Sequence, residues 1–134
     1  MTLMDRRRAL MAAKNSGKSD MSGWTDGVAY TDLTIINGSY YNTSGGIAGY
    51  PGWKRTGYVP CDGASSITFP PMTGAASTTW NWFFDVGNAP VSNFAISKTQ
   101  YTSIPVPANA AFFGISNDNS SMDACITAGI VPHA

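Results

Sequence analysis

The strongest constraint on this chain's fold is its punctuation. Nine segments of strand character, at 32–36, 39–43, 56–61, 65–69, 79–85, 91–97, 102–106, 110–116 and 123–128, are separated by turn signals at short intervals. Asp62-Gly63 reads as a hairpin turn between 56–61 and 65–69, and Gly87-Asn88 as the turn between 79–85 and 91–97. Asn117-Asp118-Asn119 breaks 110–116 from the last segment. Connections this short favour antiparallel neighbours, so the expected fold is all-β, an antiparallel β-sandwich or jelly roll.

Alternation supports one-side-buried strands. Ile67 and Phe69 face one way, with Ser66 and Thr68 opposite; Phe94 and Ile96 alternate with Ala95 and Ser97. Phe113 and Ile115 alternate with Gly114 and Ser116, and Ala124, Ile126 and Ala128 with Cys125 and Thr127. Trp80 to Asp85 is apolar on both faces, which suits a central strand or one with a ring-bearing outer face. Pro105 and Pro107 point to an edge strand.

Only residues 2–14 read as a helix. Thr2 caps it, Asp5 favours its dipole, and Leu3, Met4, Leu10 and Met11 form an apolar stripe beside Arg6, Arg7 and Arg8. A single short helix is marginal alone, so Leu3, Met4, Arg7, Leu10 and Met11 are the expected anchoring or oligomerisation residues. Residues 15–23 read as a linker, and the body spans 24–134.

Charge is divided. Residues 1–18 carry five cations against Asp5 alone, a net of +4, and the remainder carries a net of −4. A body of that sign does not hold a phosphate backbone by charge, so no nucleic-acid partner is expected. No stretch has the length of a transmembrane helix, and Met4 is followed by Asp-Arg-Arg-Arg rather than a secretory apolar run. Cys61 and Cys125 fit no metal-binding spacing and read as two small buried apolar residues rather than a disulfide.

The stretch from Tyr40 to Pro60 carries the functional expectation. It begins and ends like a strand, and between lies a glycine-rich loop bearing Tyr50, Trp53, Lys54 and Arg55. Rings and cations on a loop above a sheet form a recognition surface. Flat rings suit sugar faces, which makes Tyr50, Trp53, Trp80, Trp82, Tyr101 and Arg55 the glycan-binding candidates. Core packing is the favoured role for Trp80, Trp82 and Tyr58, whereas both roles stay open for Tyr50 and Trp53. Arg55 is expected to stack on Trp53 or Tyr58 if it is not solvated.

No reaction centre is expected, and no cofactor. The one histidine, His133, is next to last and reads as part of a fraying tail. Asp62, Asp85, Asp118 and Asp123 read as turn formers. Asp26, Asp32 and Asn117-Asp118-Asn119 offer oxygen ligands to calcium, without the spacing of a known loop.

Met-Thr-Leu-Met-Asp-Arg-Arg-Arg-Ala-Leu-Met at the start resembles the N-terminus of small structural proteins from phages and prophages of Gram-positive gut bacteria. Gly52-Trp53-Lys54-Arg55-Thr56-Gly57-Tyr58-Val59-Pro60, Trp82-Phe83-Phe84-Asp85 and Val106-Pro107-Ala108-Asn109-Ala110 resemble β-sandwich modules of phage tail or fibre proteins, which look like carbohydrate-binding modules. The resemblance implies a non-enzymatic virion component displayed at the particle surface. It would be anchored by its N-terminal helix to other virion proteins or to copies of itself, most simply as a trimer, with host-surface glycan as ligand. A decoration protein without ligand, and a bacterial carbohydrate-binding module, are the alternatives.

Overall fold

The structure is a computed structural model that describes residues 24–31, 33–74 and 80–134. The expected helix at 2–14, with Leu3, Met4, Arg7, Leu10 and Met11, the linker at 15–23 and Asp32 lie outside the described residues.

The described chain is mostly β, in three antiparallel sheets. The first has the order β1-β2-β9: Ile35–Tyr41, Ile47–Thr56 and Ser116–Asp118. The second has the order β10-β4-β7: Val131–His133, Ser66–Phe69 and Thr102–Pro105. The third has the order β3-β8-β5-β6: Val59–Pro60, Phe112–Gly114, Trp82–Phe84 and Pro90–Asn93. One helix, α1 (Asn119–Ala128), follows β9.

The first and third sheets share a corner. The chain leaves β2 for β3 just after Thr56, and leaves β8 for β9 at Ile115. These crossings are tied together: the Thr56 N–H donates to the Ile115 carbonyl at 2.9 Å, and the Ile115 N–H to Thr56 Oγ1 at 3.1 Å. A buried hydroxyl and a buried backbone donor are thus satisfied where the ladder bends.

Ile67, Phe69, Phe83, Phe94, Phe113, Ile115, Met122 and Ile130 form the heart of the core. Alternation holds for Ile67 and Phe69 and for Phe94 and Ile96, all buried. Trp82–Phe84 is an inner strand, and Pro105 lies on an edge strand. Phe113 to Ser116 departs from expectation, since all four residues are buried because β8 and β9 are covered on both faces.

Other expectations are corrected. The segment 123–128 is not a strand but the end of α1. Its apolar residues Met122, Cys125 and Ile126 recur at helical spacing, and Asp118, extended at φ −62° and ψ 162°, caps it by accepting from the Ser121 N–H. Asp62-Gly63 is a turn but not a hairpin, because β3 pairs with β8 while β4 pairs with β7 and β10. His133 is not on a loose tail: β10 pairs with β4, and His133 Nε2 lies 2.8 Å from Thr68 Oγ1. Cys61 and Cys125 are buried, free thiols. Among the described residues no helix is long and apolar enough to cross a membrane.

The glycine-rich loop is the largest correction. Ile47–Thr56 is the central strand of its sheet, flanked by β1 and β9. Glycine disfavours strands, but pairing of Ile47 to Gly49 with β1, and of Lys54 and Arg55 with both β1 and β9, outweighs that preference.

Candidate functional site

The β1–β2 ladder contains an irregularity that builds the site. Asn37 pairs with Lys54, but Ser39 pairs with Gly49. Gly38 alone therefore faces residues 50–53, and the excess chain bulges from the ladder. The sequence suits this locally. Pro51 has no ladder donor to lose, and Gly52 (φ +86°) and Gly38 (φ +74°) adopt angles that side-chain-bearing residues resist.

The bulge carries Tyr50 and Trp53 onto Tyr40. Ring centroids lie 5.5 Å apart for Tyr40–Trp53, 6.3 Å for Tyr40–Tyr50 and 6.2 Å for Tyr50–Trp53. Trp80, entering from the chain before β5, closes the group at 5.4 Å from both Tyr40 and Trp53. Each of these five pairs is edge-to-face, with interplanar angles from 62° to 86°. That geometry sets each ring's positive edge toward a neighbour's negative face, and contributes about 0.5–1.5 kcal/mol per pair beyond simple burial. The four rings line an open hollow of about 250 Å³. Tyr50 keeps 55 % of its surface exposed at the rim.

Ser116, fully buried, fixes the far wall. Its hydroxyl donates to the Trp80 carbonyl at 2.6 Å and accepts from the Tyr41 N–H at 3.0 Å. One side chain thus ties the Trp80 backbone to β1 beside Tyr40. Asn81 adds to this, its Oδ1 accepting from the Ser116 N–H and its Nδ2 donating to the Phe94 carbonyl. The indole nitrogen of Trp80 is buried and has no partner among the described residues.

Of the six glycan-binding candidates, the structure brings together Tyr50, Trp53 and Trp80. Trp82 stands elsewhere: its Nε1 donates to the Asn42 carbonyl at 3.0 Å, bracing the β1–β2 turn. Tyr101 is 62 % exposed on the connection before β7 and does not line the hollow. Arg55 does not line it either. Its Nε donates to Ser39 Oγ at 2.9 Å, and its guanidinium lies 5.6 Å from the Tyr41 ring centre rather than on Trp53 or Tyr58. Tyr40 and Tyr41 are consecutive on a strand and face opposite sides, so Arg55 and the aromatic group are divided by the sheet. Lys54 pairs with Asp123 on α1 at 2.7 Å. Tyr58 packs on Phe84 at 4.8 Å, as a core ring does.

Sequence reasoning missed Tyr40 and Ser116. The signal for Tyr40 was its place in register: beside a buried Tyr41, it had to face the other way. Nothing local marked Ser116, whose partners lie 36 and 75 residues away.

The aspartates have structural partners. Asp85 Oδ1 accepts from the N–H groups of Gly87 and Ala89, fixing the β5–β6 turn. Asp118 caps α1, and the donors at Ser121 and Ser120 hold its carboxyl below the usual range. Asp26 accepts from the Ala134 N–H. Among the described residues no three of His, Cys, Asp and Glu gather where a metal ion could sit. Burial pushes the Cys61 thiol up, aided by neighbouring Asp62, and pushes Cys125 up to about 12, so neither is poised as a nucleophile at neutral pH.

No protein-family description, curated protein or solved structure matches the chain.

Proposed function

We propose that this protein is a non-enzymatic recognition module of a virion. In this reading the sheets form a β-sandwich of jelly-roll type whose bulged strand β2 displays the cleft of Tyr40, Tyr50, Trp53 and Trp80 toward a host-surface glycan. The observation that carries it is the convergence of four rings from three chain segments on one solvent-open hollow. Core rings pack shut, whereas these leave a concavity with Tyr50 half uncovered at its rim. The shared corner at Thr56 and Ile115 supports the sandwich, because strands that switch sheets at a bend are common in such packings.

The virion setting rests on the resemblance of residues 1–11, 52–60, 82–85 and 106–110 to phage structural proteins. In that setting the N-terminal segment anchors the module to other virion proteins or to copies of itself, most simply as a trimer.

A glycan array probed with the protein and with its Trp53→Ala variant tests the cleft. Binding to surface polysaccharide that the variant loses is the expected result. An array that stays blank assigns the module a purely architectural role. Deleting residues 1–20 tests the anchor, with loss of oligomerisation or of particle incorporation expected. A truncated chain that binds and assembles unchanged favours a free-standing carbohydrate-binding module.

A further inference from the structure

We infer that the group seated in the cleft is a quaternary ammonium cation of the choline class, carried as a substituent on the surface polymer. The inference rests on the reading of the cleft as the binding site and names the chemistry it selects.

Size comes first. Sites for drug-sized ligands span roughly 300–1,000 Å³. A hollow of about 250 Å³ holds one small group rather than a run of sugar units.

Lining chemistry comes second. Sugar sites combine an apolar platform with polar side chains that read hydroxyl groups. Among the described residues the lining is four rings, and the nearby polar candidate, Arg55, is turned to Ser39 and Tyr41 on the other face. A sugar unit, with several hydroxyl groups, would give up more hydrogen bonds to water than the tyrosine hydroxyls and indole N–H groups of these walls can return. A primary ammonium would bring three N–H donors to walls whose acceptors, among the described residues, are the two tyrosine hydroxyls. A trimethylammonium group has no donor to satisfy.

Ring geometry comes third. A sugar face stacks on one flat platform, but the five ring pairs in contact meet at steep angles, from 62° to 86°. Walls set at steep angles present themselves to a compact, rounded guest from several directions. The attraction of a cation to ring quadrupoles accumulates over such walls, and methylated ammonium groups are the guests that aromatic cages take.

Charge comes last. The protein's own cations beside Trp53 are already committed, Lys54 to Asp123 and Arg55 to Ser39 and Tyr41. Among the described residues the cage therefore has no resident cation.

The test is titration of the full chain with choline chloride, followed by tryptophan fluorescence and by indole N–H shifts in NMR, with sodium chloride as the ionic control. The comparison compound is 3,3-dimethyl-1-butanol, which has the same shape without the charge. Neutral monosaccharides and polysaccharide form the third arm. Saturable choline binding is expected, at least tenfold tighter than the neutral isostere. Tyr50→Ala, at a half-exposed rim position, is expected to weaken choline at least tenfold while the protein stays folded, with its strand signature in circular dichroism retained. Equal binding of choline and its isostere overturns the cation and leaves a ligand-binding cleft. Saccharide binding without a choline response also overturns it and upholds the glycan reading. Silence in all three arms removes both.

Discussion

The ring of Tyr41 occupies the space where a side chain on Gly114 would begin. A Cβ built on Gly114 stands 2.5 Å from Cε2 of that ring and 2.6 Å from its hydroxyl oxygen. Tyr41 is fully buried, and its hydroxyl donates to the Thr56 carbonyl at 2.5 Å, inside the corner that joins two sheets. The ring has no free direction in which to retreat. Gly114→Ala is therefore expected to destabilise the protein by about 2–3 kcal/mol, the upper part of the range for overpacked cores. Urea denaturation measures this, and an unchanged midpoint would mean that the corner is looser than described.

The bulge is separable from the rest of β2. Removing Tyr50, Pro51 and Gly52 leaves Trp53 opposite Gly38 and restores a one-to-one register between Asn37–Lys54 and Ser39–Gly49. The shortened protein is expected to fold, with the strand signature of circular dichroism retained, and to lose ligand binding altogether. Retained binding would place the site somewhere other than the cleft.

Ser116 acts on the cleft only through others. Ser116→Ala strips the Trp80 carbonyl of a donor and the buried Tyr41 N–H of an acceptor, and is expected to cost about 1–3 kcal/mol. Because Trp80 is then less firmly placed, ligand affinity should fall while Tyr50 and Trp53 remain intact. Calorimetry on Ser116→Ala and Ser116→Thr reads this: a positioning role predicts partial rescue by threonine, whose hydroxyl can make both bonds.

The cap of α1 carries a pH dependence of known sign. The Asp118 carboxyl is held below its ordinary value by the donors at Ser121 and Ser120. Its stabilising effect is present above the unfolded value near 3.9 and fades as pH falls through the lower folded value. Asp118→Ala should cost about 1 kcal/mol at neutral pH, the usual worth of an N-cap. The gap between variant and parent should close in strong acid, measured as midpoints of urea unfolding.

The two thiols give the opposite slope. Both are raised by burial, Cys125 to about 12, whereas an exposed thiol ionises near 8.5. The unfolded chain thus gives up protons first, and stability falls as pH rises from about 8.5. Tyr30 and Tyr41 are also raised, so the thiol contribution is read between about pH 8.5 and 10, before phenols near 10 join in. A Cys61→Ala, Cys125→Ala double variant should flatten that slope. A thiol reagent at pH 8 should label neither cysteine until denaturant is added.

The sequence by itself settled the class of architecture. Short alternating segments and close turn signals admit antiparallel strands and little else, and Asp85-Val86-Gly87-Asn88 turned where expected. It also marked Tyr50, Trp53, Trp80, Trp82 and Tyr101 as candidate binding rings, with the core favoured for Trp80 and Trp82. Tertiary structure decided what local patterning leaves degenerate. Ala124 to Ala128 alternates as a strand does, and the Asp118 cap together with the packing of Met122 and Cys125 in the core selects the helix. Gly45 to Gly52 reads as a loop because glycine weakens a strand's local preference, yet β1 pairs with Ile47 to Gly49, and β1 and β9 between them hold Trp53 to Arg55, which draws the stretch into a strand. Above all, the cleft depends on the register in which Gly38 meets residues 50–53 and on a hydroxyl, Ser116, whose partners are remote in the chain. Register and long-range hydrogen bonds are properties of two segments at once, so no reading of either segment alone contains them.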